Sequence, residues 1–137
     1  MKFLQYLALI NILAPHGFGK DKSNKNKPKL TLWRAVTKDE YDSLENKGQF
    51  FNPWNIESKY FSFTREDAEK EGWLLNNLEP TKGPYFLIST SIENQYIRGY
   101  NYAIVDGGIL TLVIFREQFQ FLGKPKFYGL IQVNKML

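Results

Sequence analysis

Three sets of polar side chains in this 137-residue sequence could perform chemistry. Arg34 lies inside the apolar run "LWRAV", Ser62 and Thr64 end the aromatic run "KYFSFT", and Glu117 follows a long apolar run in "FREQF". An arginine on a strand is a rigid fork suited to a phosphate or pyrophosphate. Hydroxyls in front of a helix lie where unpaired backbone N–H groups favour an anion or a polar ligand. A carboxylate stabilises positive charge that develops in a transition state.

Each set also has a purely structural interpretation. Charged residues of half-buried strands usually point to solvent, which would make Arg34 a surface residue. Thr64 can be a helix N-cap and nothing more, with Ser62 an ordinary strand residue. Glu117 can be an exposed acid in a turn. A further hydroxyl set, Ser89 and Ser91 in "ISTSI", is not followed by a capped helix and is kept in reserve.

The first elements that must position these side chains are a strand and a helix. The run "KLTLWRAV" combines β-branched and aromatic residues and predicts a strand. Thr37 can cap a following helix, with Glu40 at the capping-box position and Gly48 just past the end. Tyr41 and Leu44, three residues apart, form the apolar stripe of that helix.

The rest of the sequence predicts one more strand followed by a helix, and then strands only. "KYFSF" predicts a strand, and "REDAEKE" predicts a helix capped by Thr64, with Asp67 at N3 and Gly72 as its end. Further strands are predicted for "GPYFLISTSI", "NYAIV", "GILTLVIF" and "FYGLIQV", with "DGG" as a tight turn. The order β-α-β-α followed by strands predicts an α+β domain on an antiparallel or mixed sheet.

Composition divides the chain into three segments. Residues 1–19 are apolar and predict either a secretory signal peptide or a short docking helix. Residues 20–29 are a basic flexible linker, and residues 30–137 form the folded domain. The net charge of +4 belongs to the linker, because residues 30–137 carry 12 basic and 13 acidic groups. A nucleic-acid surface on the domain is therefore disfavoured.

The residue inventory excludes several kinds of active site. The sequence has no cysteine, so neither a thiolate nucleophile nor a disulfide framework is available. Its single histidine, His16, excludes a nuclease with a histidine pair and a zinc site built mainly on histidine. No metal is expected.

Between residues 30 and 72 the chain resembles the ADP-ribosyltransferase-like toxin domains found at the C-termini of bacterial polymorphic toxins. The resemblance rests on "LWRAVTKDEYDSLENKGQF" followed by "SKYFSFTREDAEKEG", and a looser fit extends through residue 122. It implies an α+β fold with an ADP-ribosyltransferase-like mixed or antiparallel sheet core and two or three short helices. It also implies that NAD is the substrate.

The resemblance assigns roles to particular residues. The arginine of the first strand, which is Arg34 here, binds the phosphates of NAD in that family. The second motif shapes the nicotinamide pocket and corresponds to Tyr60, Phe61, Ser62 and Thr64.

The third motif of the family supplies a catalytic glutamate in front of a late strand, and here this chain departs from the pattern. Asp106, not a glutamate, precedes "GILTLVIF". Glu117, directly after that strand, is the best candidate for the catalytic carboxylate, with Glu93 as the alternative.

The activity implied is NAD-dependent mono-ADP-ribosyl transfer or NAD hydrolysis by a toxin or effector that is secreted or delivered into a target cell. Its partners would be a macromolecular target, protein or nucleic acid, and a cognate immunity protein, without stable membrane insertion. Two other functions stay open. A small ribonuclease-type toxin would need a local basic patch such as Lys124 and Lys126, and a non-catalytic protein-binding module would need no catalytic site.

Overall fold

The computed structural model describes residues 6–13, 27–50, 56–97, 99–105 and 107–132. Seven strands and two α-helices follow one another within these residues, and short 3₁₀ helices join several of them. They are β1 (Tyr6–Leu13), β2 (Lys29–Thr37), α1 (Lys38–Lys47), β3 (Ser58–Ser62), α2 (Arg65–Leu78), β4 (Tyr85–Glu93), β5 (Gly99–Val105), β6 (Ile109–Phe115) and β7 (Lys126–Leu130). The 3₁₀ helices are Pro80–Lys82, Asn94–Tyr96 and Arg116–Phe121.

The strands form one sheet in the order β1-β5-β6-β3-β2-β4-β7. Every neighbouring pair is antiparallel. The longest ladder joins β2 to β4, from Lys29 opposite Glu93 to Thr37 opposite Tyr85. The predicted α+β class with an antiparallel sheet is therefore confirmed.

The apolar N-terminal segment contributes the strand β1. It pairs with β5 from Tyr6 opposite Ile104 to Leu13 opposite Gly99. The docking-helix interpretation is therefore wrong, because the segment makes ladder hydrogen bonds with an edge that β5 would otherwise leave unpaired. The signal-peptide interpretation stays a prediction, and most of the basic linker lies outside the described residues.

Both predicted helix caps are present. The Thr37 hydroxyl accepts a hydrogen bond from the backbone N–H of Glu40 at 3.3 Å, and the Thr64 hydroxyl accepts one from Asp67 at 3.1 Å. Each cap satisfies one of the backbone donors that a helix leaves unpaired at its start. Helix α1 ends at Gly48, which adopts the left-handed conformation (φ 70°) expected of a C-terminal glycine.

Helix α2 is longer than predicted, because it continues through Gly72 to Leu78. Gly72 is buried, and a Cβ there would come within 2.5 Å of Ile131 Cδ1 and 3.3 Å of Ala35 Cβ. The glycine therefore permits close packing and does not end the helix. Neither this helix nor any other among the described residues is long and apolar enough to cross a membrane.

Alternate residues of β2 point into two cores, one on each face of the sheet. Leu32 and Val36 belong to the larger cluster, which also contains Leu44 of α1 and Phe119 of the last 3₁₀ helix. Ala35 belongs to the smaller cluster, which α2 covers. Arg34 falls between Leu32 and Val36 and so takes the face of the larger core.

Candidate functional site

A cleft opens in the middle of the sheet because β2 and β3 barely pair. Their ladder consists of the single pair Trp33 and Ser62. On their other sides both strands pair along their length, with β4 and β6 respectively. Residues 34–37 of β2 and 58–60 of β3 line the resulting cleft, which has a volume of about 380 Å³. The sheet is thus divided into two halves joined at one point.

Arg34 extends across this gap. Its Nη1 donates a hydrogen bond to the backbone carbonyl of Tyr60 at 3.0 Å. Its Nε and Nη2 each donate to the Glu40 carboxylate at 3.1 Å. The guanidinium therefore takes the place of ladder hydrogen bonds that β2 and β3 do not form. The expectation that Arg34 points to solvent is wrong, since only 20% of its side chain is exposed.

Lys59 completes a buried charged triad with Arg34 and Glu40. Its Nζ donates to Glu40 at 2.9 Å, and its side chain is 2% exposed. Burial alone would raise the pKa of Glu40, but the charges and hydrogen bonds of the two cations lower that pKa to about 2. Burial and the neighbouring Arg34 charge lower the pKa of Lys59 below its usual value. Glu40 is therefore a carboxylate held ionised between two cations.

The pKa of Arg34 shifts upward, in contrast to the pKa of Lys59. Burial alone would lower the pKa of its guanidinium, but the charge and hydrogen bond of Glu40 and the charge of Glu71 together outweigh burial and raise the pKa. The guanidinium is a permanent positive charge at the floor of the cleft.

The wall opposite the triad is formed by α2. Glu71 and Leu75 face the cleft from this helix, and Glu79, Lys82 and Tyr85 follow it in the chain. A second depression, about 600 Å³, adjoins the first and shares with it Thr37, Glu40 and Lys82. The two depressions together are large enough for an elongated ligand with two parts.

The structure brings together only two of the predicted NAD-binding residues. Arg34 and Tyr60 line the cleft. Phe61 is fully buried in the larger core, where the Arg34 guanidinium lies 5.8 Å from its ring centroid. Ser62 is fully buried as well, and Thr64 is exposed at the start of α2. Neither hydroxyl lines the cleft, so the hydroxyl-bearing strand end lies beside it and not inside it.

The Ser62 hydroxyl has no hydrogen-bond partner among the described residues, although it is fully buried. An unpaired buried hydroxyl is destabilising. We therefore expect Ser62→Ala to leave the free energy of unfolding unchanged or to raise it by up to about 1 kcal/mol, measured by urea denaturation.

Ser89→Ala is the matched control for this substitution. The Ser89 hydroxyl is also buried, but it forms a 2.8 Å hydrogen bond with the Tyr128 hydroxyl. Its removal should lower stability by about 1 kcal/mol. An equal loss in both variants would show that Ser62 has a partner in solution.

Glu117 does not reach the cleft of Arg34. Strand β6 ends at Phe115, opposite Ser58 at the start of β3, and the following 3₁₀ helix carries Glu117 onward. There it lines a separate groove with Tyr96 and Phe121, and none of the residues of this groove lines the cleft. A catalytic carboxylate would have to lie in the same cleft as Arg34, and in this structure Glu117 does not.

The reserve candidates have structural partners. Ser89 binds Tyr128, and the Glu93 carboxylate accepts a hydrogen bond from Gln95 at the end of β4. Ser91 lies on β4 beside Gly123, whose backbone N–H donates to the Ser91 carbonyl. Asp106 lies outside the described residues.

Sequence reasoning did not find Glu40 and Lys59 as members of the site. The sequence pattern places Glu40 at the capping-box position, and it places Lys59 in the predicted strand "KYFSF" without indicating a further role. One signal was available, since Lys59 precedes Phe61 by two residues and an alternating strand places both on one face. The sequence carries no such signal for Glu40, because the contact of Glu40 with β3 depends on tertiary packing.

Comparison with family models, with curated protein sequences and with solved structures finds no match to this chain. Within the described residues, no group of three or more histidine, cysteine, aspartate or glutamate side chains is placed to hold a metal ion.

Proposed function

We propose that this protein binds NAD in the cleft beside Arg34 and cleaves it, as an ADP-ribosyltransferase or NAD glycohydrolase of the bacterial toxin type. One observation carries the proposal. The arginine that the sequence resemblance assigns to the phosphates of NAD lies at the floor of a cleft between two halves of the sheet.

The geometry supports this role for Arg34 in two ways. Glu40 and the Tyr60 carbonyl hold the guanidinium in one orientation, so little conformational entropy is lost when a ligand binds. Guanidinium N–H groups not used in these contacts are suited to the diphosphate oxygens. The adjoining depression gives the second nucleotide a place beside the first.

The remaining roles follow from the chemistry of the glycosidic bond. Nicotinamide leaves C1′ of its ribose with the bonding electron pair, and the ribose becomes oxocarbenium-like. A nucleophile of the target, or water, then adds to C1′ and loses a proton. A nearby carboxylate stabilises the positive charge.

We assign the stabilising role to Glu71, because it lines the cleft from α2 and its charge acts on the Arg34 guanidinium, whose pKa it helps to raise. The Tyr60 ring, half-buried in the same cleft, is placed to stack on nicotinamide.

The test is nicotinamide release from NAD by the full chain, followed by chromatography, with NAD binding measured by calorimetry. Glu71→Gln should lower kcat by on the order of 10², because it removes the charge that stabilises the transition state. Arg34→Lys should weaken NAD binding by about tenfold, because an ammonium cannot reproduce the guanidinium fork.

Arg65→Lys is the matched control, since Arg65 is exposed and pairs with Glu69 on the surface of α2. Arg65→Lys should leave both kcat for nicotinamide release and the affinity for NAD unchanged. If the folded wild-type chain neither binds nor cleaves NAD, the proposal is wrong. The protein-binding module would then lead, and a ribonuclease would need Lys124 and Lys126, which are exposed and do not line the cleft.

A further inference from the structure

Three exposed aromatic side chains gather around a second groove, and no residue lining this groove also lines the cleft. Tyr96, Phe115 and Phe121 are each between 37% and 38% exposed. Together with Glu117 and Gln118 they line a groove of about 390 Å³. Exposed aromatic residues that cluster around a groove mark an interaction site, whereas scattered ones do not.

Hydrogen bonds and ring stacking hold the residues of this groove in place. The Gln118 side chain accepts a hydrogen bond from the backbone N–H of Phe115 at 2.8 Å and donates to the Tyr96 carbonyl at 3.4 Å. Tyr96 and Phe121 stack in parallel with their ring centroids 4.1 Å apart. Phe119, two residues before Phe121, is buried in the larger core and anchors the 3₁₀ helix.

Glu117 gives the groove its charge preference. Its side chain is exposed at the groove, and none of the described residues forms an ion pair with its carboxylate. Aromatic faces attract cations through their quadrupole, and a carboxylate attracts the same ligands. A phosphate, in contrast, would be repelled by the carboxylate, which disfavours a nucleic acid in the groove.

We propose that this groove binds an arginine side chain of a protein partner. A guanidinium is planar and weakly hydrated, so it stacks on an aromatic ring while its N–H groups donate to a carboxylate in a bidentate pair. The groove offers both surfaces within a few residues of one another, on the ring pair Tyr96 and Phe121 and on Glu117. The site is separate from the NAD cleft, and it does not depend on the proposed activity.

The experiment is an NMR titration of the full ¹⁵N-labelled chain with N-acetyl-arginine amide. Saturable shifts are expected for the backbone amides of residues 115–122 and of Tyr96. Glu117→Gln should weaken the binding by about tenfold, because the charge-assisted hydrogen bonds are lost. Tyr96→Ala should weaken it by about threefold, because one stacking surface is lost.

Controls separate charge from shape. N-acetyl-citrulline amide has the shape of the arginine probe without its charge and should bind about tenfold more weakly. Glu45→Gln changes another exposed glutamate, on α1, and should leave the affinity unchanged.

Three outcomes would overturn the proposal: no saturable shift at the groove, equal binding of the citrulline probe, or binding of adenosine monophosphate there in preference to the arginine probe. Nicotinamide release is measured in parallel. It should be unaffected by Glu117→Gln, so failure of the docking site and failure of the NAD proposal give different results.

Discussion

Glu40→Gln should lower the free energy of unfolding by about 3–5 kcal/mol, the largest stability effect that we expect from any change of a single charge in this protein. The substitution preserves the shape of the side chain but removes its negative charge. Arg34 and Lys59 would then be two neighbouring cations, both largely buried, without the carboxylate that compensates them. Urea denaturation at pH 7, followed by tryptophan fluorescence, measures the loss.

Glu69→Gln provides the comparison at the surface. Glu69 also pairs with an arginine, at 3.2 Å, but the Arg65 side chain is 47% exposed. Glu69→Gln should lower the free energy of unfolding by less than about 1 kcal/mol, as for other exposed ion pairs. Similar losses in the two variants would contradict the buried triad.

A second substitution identifies the cause of the loss. If repulsion between uncompensated cations destabilises Glu40→Gln, adding Lys59→Met should restore part of the stability, because it removes one of them. The methionine retains an unbranched apolar chain beside the Phe119 ring, from which Lys59 Nζ lies 5.7 Å. A double variant less stable than Glu40→Gln would mean that Lys59 contributes through packing and not through charge.

Much of the fold could be predicted because its signals are local. Thr37 and Thr64 each precede an acidic first turn, and both cap their helices as predicted. The strand patterns are also local, since β-branched and aromatic residues favour a pleated surface wherever they lie in the chain. Gly48 is also a local signal, because glycine readily adopts the left-handed conformation that ends a helix.

Gly72 shows where local reasoning fails. A glycine within a helical pattern looks like an end signal, because the residue is a poor helix former. The reason for glycine at this position lies 59 positions further along the chain, in the side chain of Ile131 that packs against it. A single sequence does not reveal such a contact.

The site was only partly predictable for the same reason. Arg34 stood out because a charge within an apolar strand is unusual, and it does lie at the cleft. Its partner Glu40 has a sufficient local explanation at the capping-box position, but in the structure its carboxylate binds Arg34 and Lys59 instead. Glu117 was misplaced because sequence order fixes it after β6 but does not fix the direction in which the following 3₁₀ helix leads.

The division of the sheet could not be read from the strand patterns either. Both β2 and β3 look like ordinary sheet strands, and the patterns do not show that they pair at one position only. The triad bridges the two strands where the ladder is missing, since Arg34 of β2 donates to the Tyr60 carbonyl and Lys59 of β3 donates to Glu40. Stability and the proposed NAD binding therefore involve the same charges, which makes the response of stability to pH a test of the triad.

That response should be a loss of stability in acid that depends on Glu40. The pKa of Glu40 is about 2 in the folded protein, against a usual value of 4.5. Because the folded value is the lower one, the contribution is fully present above pH 4.5 and is lost as the pH falls toward 2. The full contribution is on the order of 3 kcal/mol, of which about 2 kcal/mol would be lost by pH 3.

The measurement compares the wild type with Glu40→Gln, by urea denaturation at pH 7 and at pH 3. Other carboxylates titrate in both proteins, so the difference between the two free energies of unfolding isolates Glu40. This difference should shrink by about 2 kcal/mol on going to pH 3, because Glu40 is then protonated in the unfolded chain but still mostly ionised in the folded protein. A difference that stays constant would mean that Glu40 is not held ionised by Arg34 and Lys59. In that case Arg34 would not be fixed by a carboxylate, and the proposed phosphate site would lose its physical basis.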